Sequence, residues 1–134
     1  MPDAAVSGRR VLVVEDEYFL ADELNRVLQA AGVTVLGPVP TVEAALGLLE
    51  LGAPDAAVLD VNLGGETVYP VADALTGHRV PFLFVTGYDQ EALPARHAAV
   101  HRLEKPVEPR MVLGEVRRLF GDNVQPEGGR GEGR

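Results

Sequence analysis

The chain has no cysteine and no tryptophan, and only 5% of its 134 residues are aromatic. Without cysteine there is no disulfide, no thiolate metal site and no thiol nucleophile. Basic residues are scarce too: 12 Lys and Arg stand against 20 Asp and Glu, a formal net charge of -8. Nucleic-acid binding usually leaves a basic patch or stripe. Here the only adjacent basic pairs are Arg9-Arg10 and Arg117-Arg118, read as solvated flanks, so no nucleic-acid partner is expected. No apolar run is long enough to cross a bilayer, so no membrane contact is expected. The small, polar residues 1–8 do not resemble a signal peptide, which makes the cytoplasm the expected location.

What is present is core-forming material. Hydrophobic residues make up 46% of the chain, enough for one core without a covalent staple. A chain of this length fits one domain that buries about two-thirds of its unfolded surface.

Two periodicities alternate along it. Val11-Leu12-Val13-Val14 is a continuous apolar run of the kind a strand buried on both faces requires. Leu20, Leu24, Val27 and Leu28 then repeat at helical spacing up to Gly32. Thr34-Val35-Leu36 reads as a second strand closed by Gly37-Pro38. Thr41 can cap a helix with Ala45, Leu46 and Leu49 on one face, stopped by Gly52 and Pro54. A third strand spans 56–59. A helix over 68–75 follows, with Pro70 in its first turn and Gly77 at its end. Residues 82–85 form a fourth strand. A helix over 90–100 must be short, kinked or broken at Pro94. Arg102-Leu103-Glu104 is a short fifth strand, and Pro109 opens a last helix carrying Val112, Val116 and Leu119. Strands alternating with helices imply right-handed crossovers and an α/β, three-layer, doubly wound parallel sheet. Residues 1–9 form an N-terminal arm, 10–120 the domain, and 121–134 a Gly, Glu and Arg-rich tail expected to be disordered.

Chemistry-bearing residues fall just past the strands. Glu15 and Asp16 follow the first, Asp60 the third, Thr86-Gly87 the fourth and Lys105-Pro106 the fifth. In a parallel sheet these groups meet at one edge, where open α/β sheets carry their sites. Two carboxylates about 4 Å apart repel by roughly 4 kcal/mol at an effective dielectric of 20, so the set needs a counter-charge. Mg2+ takes oxygen ligands, keeps several waters and neutralises a transferring phosphoryl group; Mn2+ is a substitute. Asp60 is the candidate nucleophile and phosphoacceptor, since aspartyl phosphates are established covalent intermediates. Lys105 can pair with Asp60 and then with a phosphate oxygen, and the Thr86 hydroxyl can donate to another. Singly, each signal is weak. An Asp after a strand is most often a loop residue, Thr-Gly is a common turn, and Glu15-Asp16-Glu17 can simply start a helix. The joint pattern, in one order after different strands, carries the reading.

That pattern resembles a response-regulator receiver domain of two-component signalling, over residues 10–120. Glu15 and Asp16 match the family's acidic pair, Asp60 its phosphoacceptor, Thr86 its switch hydroxyl and Lys105 its lysine before proline. Asn62 matches the position whose backbone carbonyl completes metal coordination. The resemblance implies a flavodoxin-like (βα)5 sheet of order 2-1-3-4-5. Two departures stand out. Leu63-Gly64 replaces Met-Pro, and Arg102 replaces the switch aromatic three residues before the lysine. Phe84-Val85-Thr86-Gly87-Tyr88 is similar to the signature of the single-domain FAT GUY subgroup. This implies partnership with histidine kinases of the HWE or HisKA2 type, or with a histidine phosphotransfer protein. Gly87 leaves room for a phosphoryl group to enter. Tyr88 is expected either to cover the site and stand in for the missing aromatic, or merely to pack over the fourth helix.

The resulting expectation is a stand-alone phosphorylation switch with a protein-interaction output. It is not an enzyme on a separate substrate, and it performs only self-phosphorylation and slow self-dephosphorylation. Monomer and dimer both stay open. A haloacid-dehalogenase-type phosphatase needs a second Asp two residues after the nucleophile, where Asn62 stands. A receiver-like interaction module that never takes phosphate is the other rival. His97 and His101 have the spacing of a helical metal pair but no third ligand, and are read as solvated surface residues.

Overall fold

A computed structural model of the chain describes residues 3–87 and 93–121. The expectations for Tyr88, for the first part of the helix over 90–100 and for the tail from 122 lie outside the described residues.

Five parallel strands form the main sheet: β1 (Arg10–Val14), β2 (Thr34–Val39), β3 (Ala56–Asp60), β6 (Phe82–Thr86) and β7 (Arg102–Glu104). Their order is β2-β1-β3-β6-β7. Two further strands, β4 (Asn62–Leu63) and β5 (Glu66–Thr67), pair only with each other. Setting that pair aside, the rank order is the expected 2-1-3-4-5 of a flavodoxin-like receiver fold.

The period of two along each strand divides the core. Leu12, Val14, Ala57, Leu59, Phe82 and Phe84 pack with α2 (Val42–Glu50) and α3 (Tyr69–Gly77). Val11, Val13, Ala56, Val58, Leu83 and Val85 pack with α1 (Tyr18–Ala30) and α4 (Pro109–Leu119). The continuous apolar runs exist because both faces of these strands are covered. Thr41 caps α2 as expected, its Oγ1 accepting from the Ala44 N–H at 3.1 Å.

Several expectations are corrected. β2 does not close at Gly37-Pro38 but runs through them to Val39, with an irregular register against β1 after Leu12. An edge strand tolerates proline because one row of its backbone groups has no ladder partner. α3 does end at Gly77 as expected, and the left-handed residue beyond it is Arg79 at φ 60°. Among the described residues around Pro94, a 3-10 turn forms over Ala95–His97 in place of an α-helix. His97 is not a surface residue: it is 2% exposed, because α3 and β6 supply an aromatic box for it. The paired arginines are not merely solvated. The Arg10 guanidinium donates to Ala53 O at 2.7 Å, Arg9 lies 4.6 Å from the Phe120 ring centroid, and Arg117 pairs with Asp3. Val6 is fully buried among the residues of α1 and α4. Among the described residues no helix is long and apolar enough to cross a membrane.

Candidate functional site

β1 and β3 are neighbours in register, Val14 opposite Leu59, so the residues that end them emerge side by side. Asp60 stands opposite Val85, and Thr86 opposite Glu104. The topology therefore carries Glu15, Asp16, Asp60, Thr86 and Lys105 to the carboxyl edge of adjacent strands. The Lys105 N–H donates to Thr86 O at 2.7 Å, which fixes where the lysine leaves the sheet.

Lys105 is the hub. Its Nζ lies 3.2 Å from Glu15 Oε2, 3.2 Å from Asp60 Oδ2 and 3.4 Å from Glu17 Oε1. Glu15 and Asp60 are buried, 4% and 3% exposed, whereas Asp16 is exposed. Oxygens of Glu15, Asp16 and Asp60 lie within 4.8 Å of one another. Burial, together with the Glu15 charge, pushes the Asp60 carboxyl up to about 8, and Lys105 only partly offsets this. Burial works against the Lys105 charge, yet the Asp60 and Glu15 carboxylates lift its pKa above the usual lysine value.

This donor set fits a hard divalent cation. It is all oxygen, and it holds more negative charge than one lysine neutralises. One face of it is open to a cavity of about 410 Å³. Asp16, Glu17, Asp60, Asn62 and Lys105 line that cavity, with Gly64, Gly65 and Gly87. Glu15 and Thr86 do not line it; both are buried beside it. The Asn62 N–H points to Asp60 Oδ1 at 3.4 Å, and its side-chain Oδ1 accepts from the Gly65 N–H at 3.1 Å.

Two contributors are not among the candidate residues read from the sequence. One is Glu17, the third acid of its run, whose position in the sequence reads as a helix start. The other is the β4–β5 hairpin. Its turn is Gly64-Gly65, with φ of 64° and 102°, the left-handed pair that a two-residue hairpin requires. A Cβ on Gly64 would come within 3.6 Å of Asp16 Oδ2. The Gly-Gly dipeptide was the available signal. Glu66 Oε2 accepts from the Val42 N–H at 3.2 Å, tying this hairpin to the start of α2.

A second groove, about 430 Å³, adjoins the first and is lined by Phe19, Leu20, Pro106 and Val107 together with Glu17, Glu23, Gly87 and Lys105. Phe19, 77% exposed, lines it, and Tyr18, 74% exposed, packs edge to face on Phe19 at 5.4 Å.

Buried carboxylates, one lysine and an acid-lined cavity thus meet at the carboxyl edge of a flavodoxin-like sheet. The chain belongs to the response regulator receiver domain family, which residues 11–117 match. The sensory transduction protein LytT of Bacillus cereus is 32% identical over 113 residues, 81% of this chain and 46% of that protein. The transcriptional regulatory protein PdtaR of Mycobacterium tuberculosis is 32% identical over 95 residues, 70% of this chain and 46% of that protein. The chain thus spans about half the length of these curated relatives. The solution structure of SdrG from Sphingomonas melonis Fr1 superposes with a TM-score of 0.73 at 38% identity, covering 87% of this chain and 98% of that one. Members of this family are in general signalling modules rather than enzymes acting on a separate substrate, and their partners are histidine kinases or phosphotransfer proteins.

Proposed function

We propose that this chain is a receiver-domain phosphorylation switch in which Asp60 accepts a phosphoryl group from a phosphohistidine. The observation that carries the reading is Lys105 Nζ held 3.2 Å from both Asp60 and Glu15, at the mouth of an acid-lined cavity. The Asp60 carboxylate oxygen bonds to phosphorus, and the phosphorus–nitrogen bond to the donor imidazole breaks. The leaving imidazole nitrogen takes a proton from solvent, and an acyl phosphate remains. Lys105 exchanges part of its contact with Asp60 for a phosphate oxygen, and the Thr86 hydroxyl donates to another. Gly87 offers no side chain to block entry. Glu15, Asp16 and Asp60, with the Asn62 carbonyl, would hold Mg2+ or Mn2+. When bound, such an ion supplies charge neutralisation for the transferring group.

The donor is a histidine kinase, of the HWE or HisKA2 type, or a histidine phosphotransfer protein. The resemblance to the FAT GUY subgroup supports this choice, and the likeness to SdrG fits that resemblance. In this reading residues 10–120 are the working domain, 1–9 an arm and 121–134 a tail, the location is the cytoplasm, and the output is protein–protein contact. Exposed Tyr18 and Phe19 beside the site favour a protein partner over a small one. Slow self-dephosphorylation resets the switch.

Intact mass after incubation with Mg2+ and a small acyl phosphate tests the acceptor, with Asp60→Asn alongside. One phosphoryl group on the wild type and none on the variant is expected. If neither the acyl phosphate nor a phosphorylated histidine kinase labels the folded wild type, the chain is a phosphorylation-independent interaction module instead.

A further inference from the structure

The stretch that follows the site, residues 93–101, has one buried side chain in its middle, while its far end is held separately: the Phe84 N–H donates to His101 O at 3.0 Å and His101 Nε2 lies 3.2 Å from Glu115 Oε1. The buried side chain is His97, with Leu93 and Val100 half-buried against the core. The His97 ring stacks on Tyr69 with centroids 5.7 Å apart. It stands edge-on to Phe84 at 5.7 Å and to Phe82 at 6.1 Å. Its Nε2 lies 3.0 Å from Asp73 Oδ1. Arg96 grips the same carboxylate, with Nε 2.9 Å from Oδ1 and Nη2 3.2 Å from Oδ2. The Arg96 guanidinium holds the Asp73 carboxyl below its usual range, and His97 adds a smaller pull. An ionised carboxylate only accepts, so His97 Nε2 carries the proton.

This anchor differs in kind from the rest of the core. A leucine or phenylalanine in the box would dock the stretch by burial alone. Histidine also needs a partner for Nε2. That partner stays wet: the Asp73 side chain is 47% exposed and that of Arg96 56%. Groups half in water are rehydrated as soon as they separate, so the polar half of the anchor is easily undone. Segments held this way belong to the low-stability end of a fold.

The anchor is also placed to sense the site. Phe82, Phe84 and Thr86 are alternate residues of β6 and share one face of that strand. Two of the rings against His97 are therefore in line with the Thr86 side chain. The chain also leads from Thr86 and Gly87 into residues 93–101. A packed ring does not follow a small shift of its neighbours smoothly; it fits or it leaves.

We propose that the His97, Asp73 and Arg96 side chains form a releasable latch that holds residues 93–101 on α3, and that a phosphoryl group on Asp60 opens it through β6. The second half of this proposal rests on the acceptor reading of Asp60.

Hydrogen exchange reads the latch at the His97, Ala98 and Val100 amides, which donate within the turn to Pro94, Ala95 and His97. Asp73→Ala is expected to speed their exchange by on the order of tenfold, leaving β1 and β3 unchanged. Arg96→Ala touches only the exposed half and should give a smaller acceleration, about threefold. In the wild type, Mg2+ with beryllium fluoride, an acyl-phosphate mimic, should produce the acceleration that Asp73→Ala produces without it. His97→Phe keeps the ring but lacks Nε2, and should exchange slowly with or without the mimic. Unchanged exchange in both alanine variants would overturn the latch. A wild-type response to the mimic in His97→Phe would overturn its polar character. No response of the wild type to the mimic, while Asp60 still takes a phosphoryl group by intact mass, would remove the coupling. Absence of phosphoryl uptake by intact mass would instead be a failure of the acceptor reading, and the ligand-free comparison would still decide the latch.

Discussion

In β1 and β3 every residue except Arg10 is buried, and Glu15, which follows β1, is buried with them. In β7 the pattern inverts: Arg102 and Glu104 are exposed and Leu103 is half-buried. The turn ahead of β7 has one buried side chain, His97. The two regions lie on one sheet, joined at its edge by the Lys105 ammonium. The acidic corner is built on strands paired on both sides, where carboxylates can be held together against their repulsion. The outer edge is thin and polar. A site that must keep its geometry belongs on the first kind of element, and a surface that must change belongs on the second.

The largest expected effect tests the rigid side. Leu59→Ala empties a fully buried position in β3 and should cost about 2–5 kcal/mol in urea unfolding. A loss no larger than that of an edge-strand variant would erase the contrast.

Next is the lysine that joins the regions. Lys105→Met removes the counter-charge of Glu15 and Asp60 and should cost about 1–2 kcal/mol at pH 8 without metal, the partly solvated ammonium softening the penalty of a broken buried pair. Added Mg2+ should narrow the gap to the wild type, read as urea midpoints.

The third expectation is a pH dependence confined to the acidic corner. The folded Asp60 carboxyl is raised to about 8 from 3.8, so the folded state holds its proton more tightly than the unfolded chain does. That contribution to stability is complete below about pH 4 and is lost as pH rises through 8. The melting temperature of the metal-free wild type should therefore fall relative to Asp60→Asn between pH 5 and 8, on the order of 5 °C after discounting for solvent. Mg2+ should raise it more at pH 8 than at pH 5. Parallel pH profiles for the two proteins would show that Asp60 is not the strained group.

The smallest effect belongs to the edge. Leu103→Ala, half-buried in a three-residue strand, should cost below about 1 kcal/mol. A larger value would mean the edge is as firmly built as the centre.

Much of this was legible in the chain itself. The apolar runs of β1, β3 and β6, the cap at Thr41 and the proline openings of α3 and α4 are local signals, read from neighbours in sequence. So was the order in which acids, hydroxyl and lysine follow the strands. What was misread has a shared cause. His97 looked like a surface residue because its own segment is polar, but the rings around it come from α3 and β6. Gly37-Pro38 usually stops a strand, and only the place of β2 at the sheet edge lets it continue. The β4–β5 hairpin was hidden by its length, two residues on each side.

By itself the sequence determined the alternation of strand and helix, the two faces of each strand, and which chemical groups stand past which strand. Those depend on turn chemistry and periodicity, which act over a few residues. The tertiary structure alone decided that Lys105 meets Glu15 across 90 positions, that Asp60 is buried enough to resist ionisation, and that a histidine far from the acids becomes an anchor. Burial and charge contact depend on which distant segments share a site, and no local pattern encodes that.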